Sequence, residues 1–198
     1  MVCTGNACRS PMAAAILQLR LAERGVDAQV TSAGTRPWSQ GATADAVAVM
    51  REHGLEISEH ESRKLTRDMV QEADLVLGMT RDHVSIANAR NPDARRRTFL
   101  VGELARLGAE VGPRSESEAV STWVARAAAV RPLRRPLGRA MDEISDPAGQ
   151  PIDVYRRTAD ELDARLTEIA GLLAGVPPPA RRRPRGGPPE QRGSSRRR

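Results

Sequence analysis

The sequence predicts an α/β protein of three layers, a central parallel sheet with helices on both faces. Three observations carry that expectation. Short apolar runs of strand length alternate with amphipathic stretches of helical period along residues 1–174. Asp74–Met79 (DLVLGM) is a continuous apolar run, as a strand buried on both faces requires. The first loop, Cys3 to Ser10, leads directly into a Pro-led apolar stretch, the pattern of a loop that opens a helix.

In order, Pro11 to Arg24 reads as the first helix, with Met12, Ala15, Ile16 and Leu19 along one face. Ala28–Ser32 reads as a short strand entering the turn Ser32-Ala-Gly-Thr35. Thr43 to His53 is helical, with Ala46, Val47 and Met50 inward and Gly54 as its stop. After the strand at Asp74–Met79 come a helix from Arg81 to Ala89 and a short strand, Thr98–Val101. A long amphipathic helix, Asp153 to Leu173, closes the domain. Residues 110–140 break the rhythm with a helix over Glu116 to Val130 and an Arg/Pro-rich stretch, Arg131–Arg139. They read as an insertion over the active-site side of the sheet.

With one Phe, one Tyr and two Trp in 198 residues, the core has to come from small and aliphatic side chains. Trp123 and Tyr155 read as packing residues, and His53 and His83 as surface helix residues. The formal charge of +6 resides in the tail: eight Arg and one Glu lie between Gly175 and Arg198, so residues 1–174 carry a net −1. The domain is therefore expected over 1–174. Residues 175–198 are expected to be disordered, since they hold too little apolar area to offset ordering entropy. No aromatic residue is interleaved in the tail for base stacking, so a nucleic-acid partner is not expected. The two cysteines, Cys3 and Cys8, match neither a disulfide framework nor a zinc pattern. No metal or cofactor is expected, and the location expected is cytoplasmic. No apolar run reaches the length of a membrane span. A monomer is expected.

Residues 3–11 read Cys-Thr-Gly-Asn-Ala-Cys-Arg-Ser-Pro. Hydrolysis of a phosphate ester through a covalent intermediate needs an ionised nucleophile, and a cationic neighbour plus a helix N-terminus favour a thiolate. Cys3 has Arg9 and the coming helix. Backbone amides of Thr4, Gly5, Asn6, Ala7, Cys8 and Ser10 are placed to bind phosphate oxygens. Arg9 adds a planar bidentate clamp. Gly5 lets the backbone curl inward, Asn6 tolerates a left-handed conformation, and the Ser10 hydroxyl can serve the Cys3 sulfur. Trp38, in a polar loop, reads as a substrate-pocket wall. Asp146-Pro147 on its own reads as a turn approaching the last helix.

With the further strings Ser32-Ala-Gly-Thr35, His53-Gly54, Glu59-His60, Met79-Thr80-Arg81, Phe99-Leu-Val-Gly-Glu103 and Asp146-Pro147, the chain resembles the low-molecular-weight protein tyrosine phosphatase family. The resemblance covers roughly residues 2–108 and 141–173. It implies catalysis by Cys3, Arg9 and Asp146, with Asp146 as general acid and then base. It implies that Ser32 and His60 hold Asn6, that Trp38 walls the slot for a substrate ring, and that Cys8 forms a reversible disulfide with Cys3 under peroxide. The implied substrate is a phosphorylated protein or a small phosphate ester, phosphotyrosine first.

Three departures qualify this. Only Met1 and Val2 precede Cys3, where the family has a longer apolar strand. The expectation is a chain lacking most of its first strand, with unpaired backbone groups costing about 1–3 kcal/mol each, and so poor stability and little or no activity. Ala14 stands where the family usually has Glu. Ala7 stands where tyrosine phosphatases often have Ile and the related arginine phosphatases Thr. Protein arginine phosphatase activity and an inactive phosphoprotein-binding module are the alternatives. An arsenate reductase would need further cysteines to pass a disulfide outward.

Overall fold

The computed structural model describes residues 1–132 and 138–176. The expected sheet is present, with four parallel strands in the order β2-β1-β3-β4, where β1 is Val2–Cys3, β2 Ala33–Gly34, β3 Val76–Gly78 and β4 Thr98–Leu100. β1 lies between β2 and β3 and is two residues long, and β2 pairs with it residue for residue, Val2 with Ala33 and Cys3 with Gly34. This register explains why the strand expected at Ala28–Ser32 falls instead on Ala33–Gly34: β2 has β1 as its sheet neighbour and is no longer than the partner it pairs with.

Alternation of side chains through the strands sorts the core into two layers. Val2, Ala33 and Val76 face α3 (Arg67–Glu72) and α4 (Arg81–Arg90), packing with Leu65, Val70, Ala87 and Ala94. Cys3, Leu77 and Phe99 face the larger layer. It is formed by α1 (Arg9–Ala22), α2 (Ala44–Glu52), α5 (Val101–Val111), α6 (Val120–Ala129) and α7 (Ile152–Leu173). α7 is its spine: Tyr155, Ala159, Leu162, Leu166, Ile169 and Leu173 recur at helical spacing and are buried against α1, α2 and α5. Arg20 binds Asp163 at 2.8 Å and Arg156 binds Glu52 at 2.7 Å, tying α1 and α2 to the polar edges of α7.

Three elements depart from expectation. α1 begins at Arg9 rather than Pro11, so Arg9 and Ser10 lie in its first turn and Pro11 at its third position, where a missing N–H costs nothing because the first four are unpaired within a helix. α5 and the short α3, capped by Thr66, are additional. The helix of the 110–140 region does not lie over the active-site side. α6 packs on α5 and on the 3-10 segment Pro92–Arg97 ahead of β4. The fully buried Trp123 fixes it there: its ring lies against Gly108, where a Cβ would come within 2.9 Å, and its Nε1–H donates to Gly112 O at 2.9 Å. Among the described residues of this region, the returning segment, Gly138 to Asp146, reaches the carboxyl ends of the strands. Much of the Arg/Pro-rich stretch and the tail from residue 177 lie outside the described residues.

Candidate active site

The carboxyl ends of parallel strands are where α/β sheets present their loops, and β1 delivers Cys3 there. The loop that follows turns on Asn6, the one described non-glycine residue with positive φ, at 53°. Its side chain explains how it is held. Arg63 N–H donates to Asn6 Oδ1 at 2.9 Å, and because a backbone N–H can only donate, this fixes the orientation of the amide. Asn6 Nδ2 then donates to Ser10 Oγ at 2.9 Å and to Ser32 Oγ at 2.8 Å. The Asn6 carbonyl accepts from Ser62 Oγ at 2.7 Å and lies 2.7 Å from His60 Nε2. His60 therefore holds the backbone of Asn6, while Ser32 holds its side chain. Gly34 closes the support: a Cβ there would lie 2.7 Å from Thr4 O, too close for any other residue to fit without displacing the loop.

This scaffold directs donors at the sulfur. Since Ser10 accepts from Asn6, its own proton is available to Cys3 Sγ, 3.0 Å away. Asn6 N–H donates to the same sulfur at 3.2 Å. Arg9 is 97% buried; it donates from one terminal nitrogen to Ile144 O at 3.2 Å and from the other to Asp146 Oδ2 at 2.5 Å. Its Nε–H is buried and has no partner among the described residues. A buried charged donor without a protein partner is costly, which favours an anionic ligand within its reach. The site is thus suited to a tetrahedral anion. Among the described residues no three His, Cys, Asp or Glu side chains converge as a metal site, and no described helix is long and apolar enough to cross a membrane.

Asp146 sits across the opening of the loop, its Oδ1 accepting from Ala148 N–H at 3.2 Å. Its segment is anchored at three points: Ile144 N–H donates to Met79 O at 2.8 Å, Arg81 N–H donates to Glu143 Oε1 at 3.0 Å, and Arg9 holds Ile144 O. The structure brings together Cys3, Arg9, Ser10, Asn6, Ser32, His60 and Asp146. Trp38 lies beside the loop, its N–H donating to Gly5 O at 2.8 Å, with its side chain largely exposed. It does not line the cleft of about 540 Å³ that opens in front of Arg9 and Asp146. Both cysteines are free, and burial, with the Cys3 and Asp146 charges adding, pushes the Cys8 thiol up to about 11.

Sequence reasoning missed His83, Ser62 and Arg63. His83 is buried and lines the cleft rather than lying on a helix surface. Burial, with the Arg9 charge adding, lowers its pKa to about 4. A signal was present: Thr80-x-x-His83 follows the apolar run of β3, which places a helix N-terminus at the carboxyl edge of the sheet. Nothing in the sequence marks Ser62 or Arg63, which arrive from a loop distant in the chain.

A cysteine loop at the end of a central parallel strand, opening into a helix and facing a carboxylate from a remote segment, defines a phosphatase-like α/β site. Residues 1–107 match the family model described as low molecular weight phosphotyrosine protein phosphatase, and the chain belongs to that family. It is 30% identical over 170 residues to the protein-arginine-phosphatase of Bacillus subtilis (strain 168), covering 85% of this chain and 91% of that protein. It is 45% identical over 106 residues to the probable low molecular weight protein-tyrosine-phosphatase EpsP of Ralstonia solanacearum, covering 52% of this chain and 70% of that one. The low molecular weight protein tyrosine phosphatase structure from T. tengcongensis superposes with a TM-score of 0.65 at 28% identity, covering 87% and 96% of the two chains.

Proposed function

We propose that this chain removes phosphate from phosphorylated protein side chains through a phosphocysteine intermediate. The observation that carries the reading is the loop itself: Cys3 Sγ lies 3.0 Å from Ser10 Oγ and accepts from Asn6 N–H at 3.2 Å, ahead of a helix whose first residue is the buried, Asp146-paired Arg9. The Cys3 thiolate attacks phosphorus and the bond to the leaving atom breaks. Asp146 gives its proton to that atom. Water then attacks the phosphorylated sulfur, Asp146 takes a proton from it, and phosphate leaves as the thiolate is restored. Bound phosphate competes with Asp146 for Arg9, and the carboxyl is released to face the leaving atom.

The leaving group we favour is a guanidine. Among the described residues the opening is lined by the carboxylates of Asp82, Glu143 and Asp146 together with Arg9 and Arg36, and by no Phe, Tyr or Trp; carboxylates there suit the guanidine of phosphoarginine, and a relative matching over most of this chain is a protein-arginine-phosphatase. Phosphotyrosine is the second reading, favoured by exposed Trp38 beside Gly5. Turnover of phosphoarginine, phosphotyrosine and phosphoserine peptides, with Cys3→Ser as control, tests both. The phosphoarginine peptide is expected to be fastest, and Cys3→Ser inactive on all three. Faster turnover of phosphotyrosine would select the second reading. Retained activity in Cys3→Ser would remove the mechanism.

A further inference from the structure

The cleft contains a hydrogen-bonded chain that the reaction above does not use. His83 stands at the third position of α4, with its ring between two threonines. Thr80 N–H donates to His83 Nδ1 at 3.1 Å, with the Thr80 hydroxyl 2.9 Å from the same nitrogen. A backbone N–H has no accepting role, so Nδ1 carries no proton, and the neutral ring must carry it on Nε2. That Nε2 lies 3.0 Å from Thr4 Oγ1, and it therefore donates to the hydroxyl. Among the described residues Thr4 Oγ1 makes no second hydrogen bond. Its own proton, excluded from the direction of His83, is free to point into the cleft shared with Arg9 and Asp146.

We propose that His83 is a positioning residue that holds the Thr4 hydroxyl as an additional donor to the phosphoryl oxygens of the substrate. The inference rests on the phosphatase reading above. In this arrangement Thr4 supplies a side-chain donor on the open face of the anion, where the loop amides do not reach around it. His83 does not exchange the proton: burial and the nearby Arg9 charge hold it neutral, outweighing the opposing pull of Asp82, Asp146 and Glu143. A fixed neutral ring gives the hydroxyl one direction over the working pH range, which a titrating histidine would not.

The two halves of the imidazole can be removed separately. In H83N the shorter amide retains an acceptor near the Nδ1 position, so Thr80 N–H stays capped while Thr4 loses its partner. In H83Q the longer amide places a donor near the Nε2 position and gives up the cap. T4V removes the hydroxyl itself. A hydrogen bond to a charged group contributes about 1.5–3 kcal/mol, so T4V and H83N should each lower kcat/KM and vanadate affinity by roughly tenfold or more. H83N should melt as the parent does. H83Q should melt lower and yet recover most of the lost activity and vanadate affinity. The double variant T4V/H83N should be no worse than T4V alone.

Multiplying losses in the double variant, or an H83N that keeps full activity and vanadate affinity, would overturn the proposal. So would an H83Q as impaired as H83N, since the ring would then act by packing alone. Failure of the phosphatase reading looks different: the parent would turn over none of the phosphopeptides. Vanadate binding would still decide the role of Thr4 and His83 in holding an oxyanion.

Discussion

Residues 3–10 and residues 139–146 meet at Arg9, but they are held in place by different means. The first segment is fixed by mostly neutral hydrogen bonds focused on one residue, with the Asn6 side chain joining Ser10, Ser32 and the Arg63 backbone and its carbonyl joining Ser62 and His60. The second depends on charged side chains. Asp142, almost fully buried, accepts from Arg106 at 2.9 Å and from Arg139 N–H at 3.1 Å, and Glu143 accepts from Arg81. Further back, Arg131 pairs with buried Glu103 at 2.9 Å and stacks over the Phe99 ring at 4.3 Å. Neutral donors that also bear on Cys3 would preorganise the proposed anion site without drawing an anion's charge elsewhere. Charged anchors give the segment that carries Asp146 a position that does not depend on the Cys3–Ser10 loop, except through Arg9.

The comparison predicts separable damage. Asn6→Ala should have the largest effect. It leaves the buried Ser32 hydroxyl without its Asn6 donor and the part-buried Arg63 N–H without its acceptor, each costing about 1–3 kcal/mol, and it places Ala at a positive φ. Stability should drop by about 3 kcal/mol or more, and vanadate binding should weaken severely. Denaturant unfolding and calorimetry read both, and vanadate affinity equal to the parent's would remove Asn6 from its central place. Asp142→Ala should cost less, about 1–3 kcal/mol, for the unpaired groups left behind. Its signature is selective: vanadate affinity unchanged, turnover of substrates with poor leaving groups reduced. If vanadate binding fell as far as in Asn6→Ala, the two segments would not be independent.

At neutral pH the effect of His83 titration vanishes, and it grows only as the solution is acidified. The His83 value of about 4 lies below its ordinary 6.5, so between these values the unfolded chain binds more protons than the folded one. Its contribution to stability is therefore complete above pH 6.5 and is lost as pH falls towards 4. H83N cannot titrate, so its stability should fall less steeply than the parent's across that window. Equal slopes in urea unfolding would place the group's titration elsewhere.

The same division explains what the sequence made legible. The Cys3–Ser10 loop is contiguous, so Cys3, Asn6, Arg9 and Ser10 could be singled out together as a proposed anion site from spacing and side-chain chemistry alone. The alternation of apolar strands and amphipathic helices likewise announced a parallel sheet, and α7 was visible at nearly its full length. The supports of the loop were not: Ser62 and Arg63 touch Asn6 only because the chain returns beside β2. His83 looked like a surface residue because helical periodicity says nothing about what covers a helix N-terminus. α6 was found as a helix but misplaced, since the buried Trp123 reports a tight contact without naming its partner. Asp146 was reached through a family resemblance, because a lone Asp-Pro has no chemistry of its own until Arg9 is beside it.

The leaving-group dependence of kcat/KM tests most directly whether the two segments form one reaction centre. It is measured with aryl phosphates of graded leaving-group pKa on the parent and on Asp146→Ala. An acid at Asp146 predicts a shallow dependence in the parent and a steep one in the variant, with the two converging for the best leaving groups, which need no proton. Parallel lines, displaced by a constant factor, would contradict the account and assign the proton to another group.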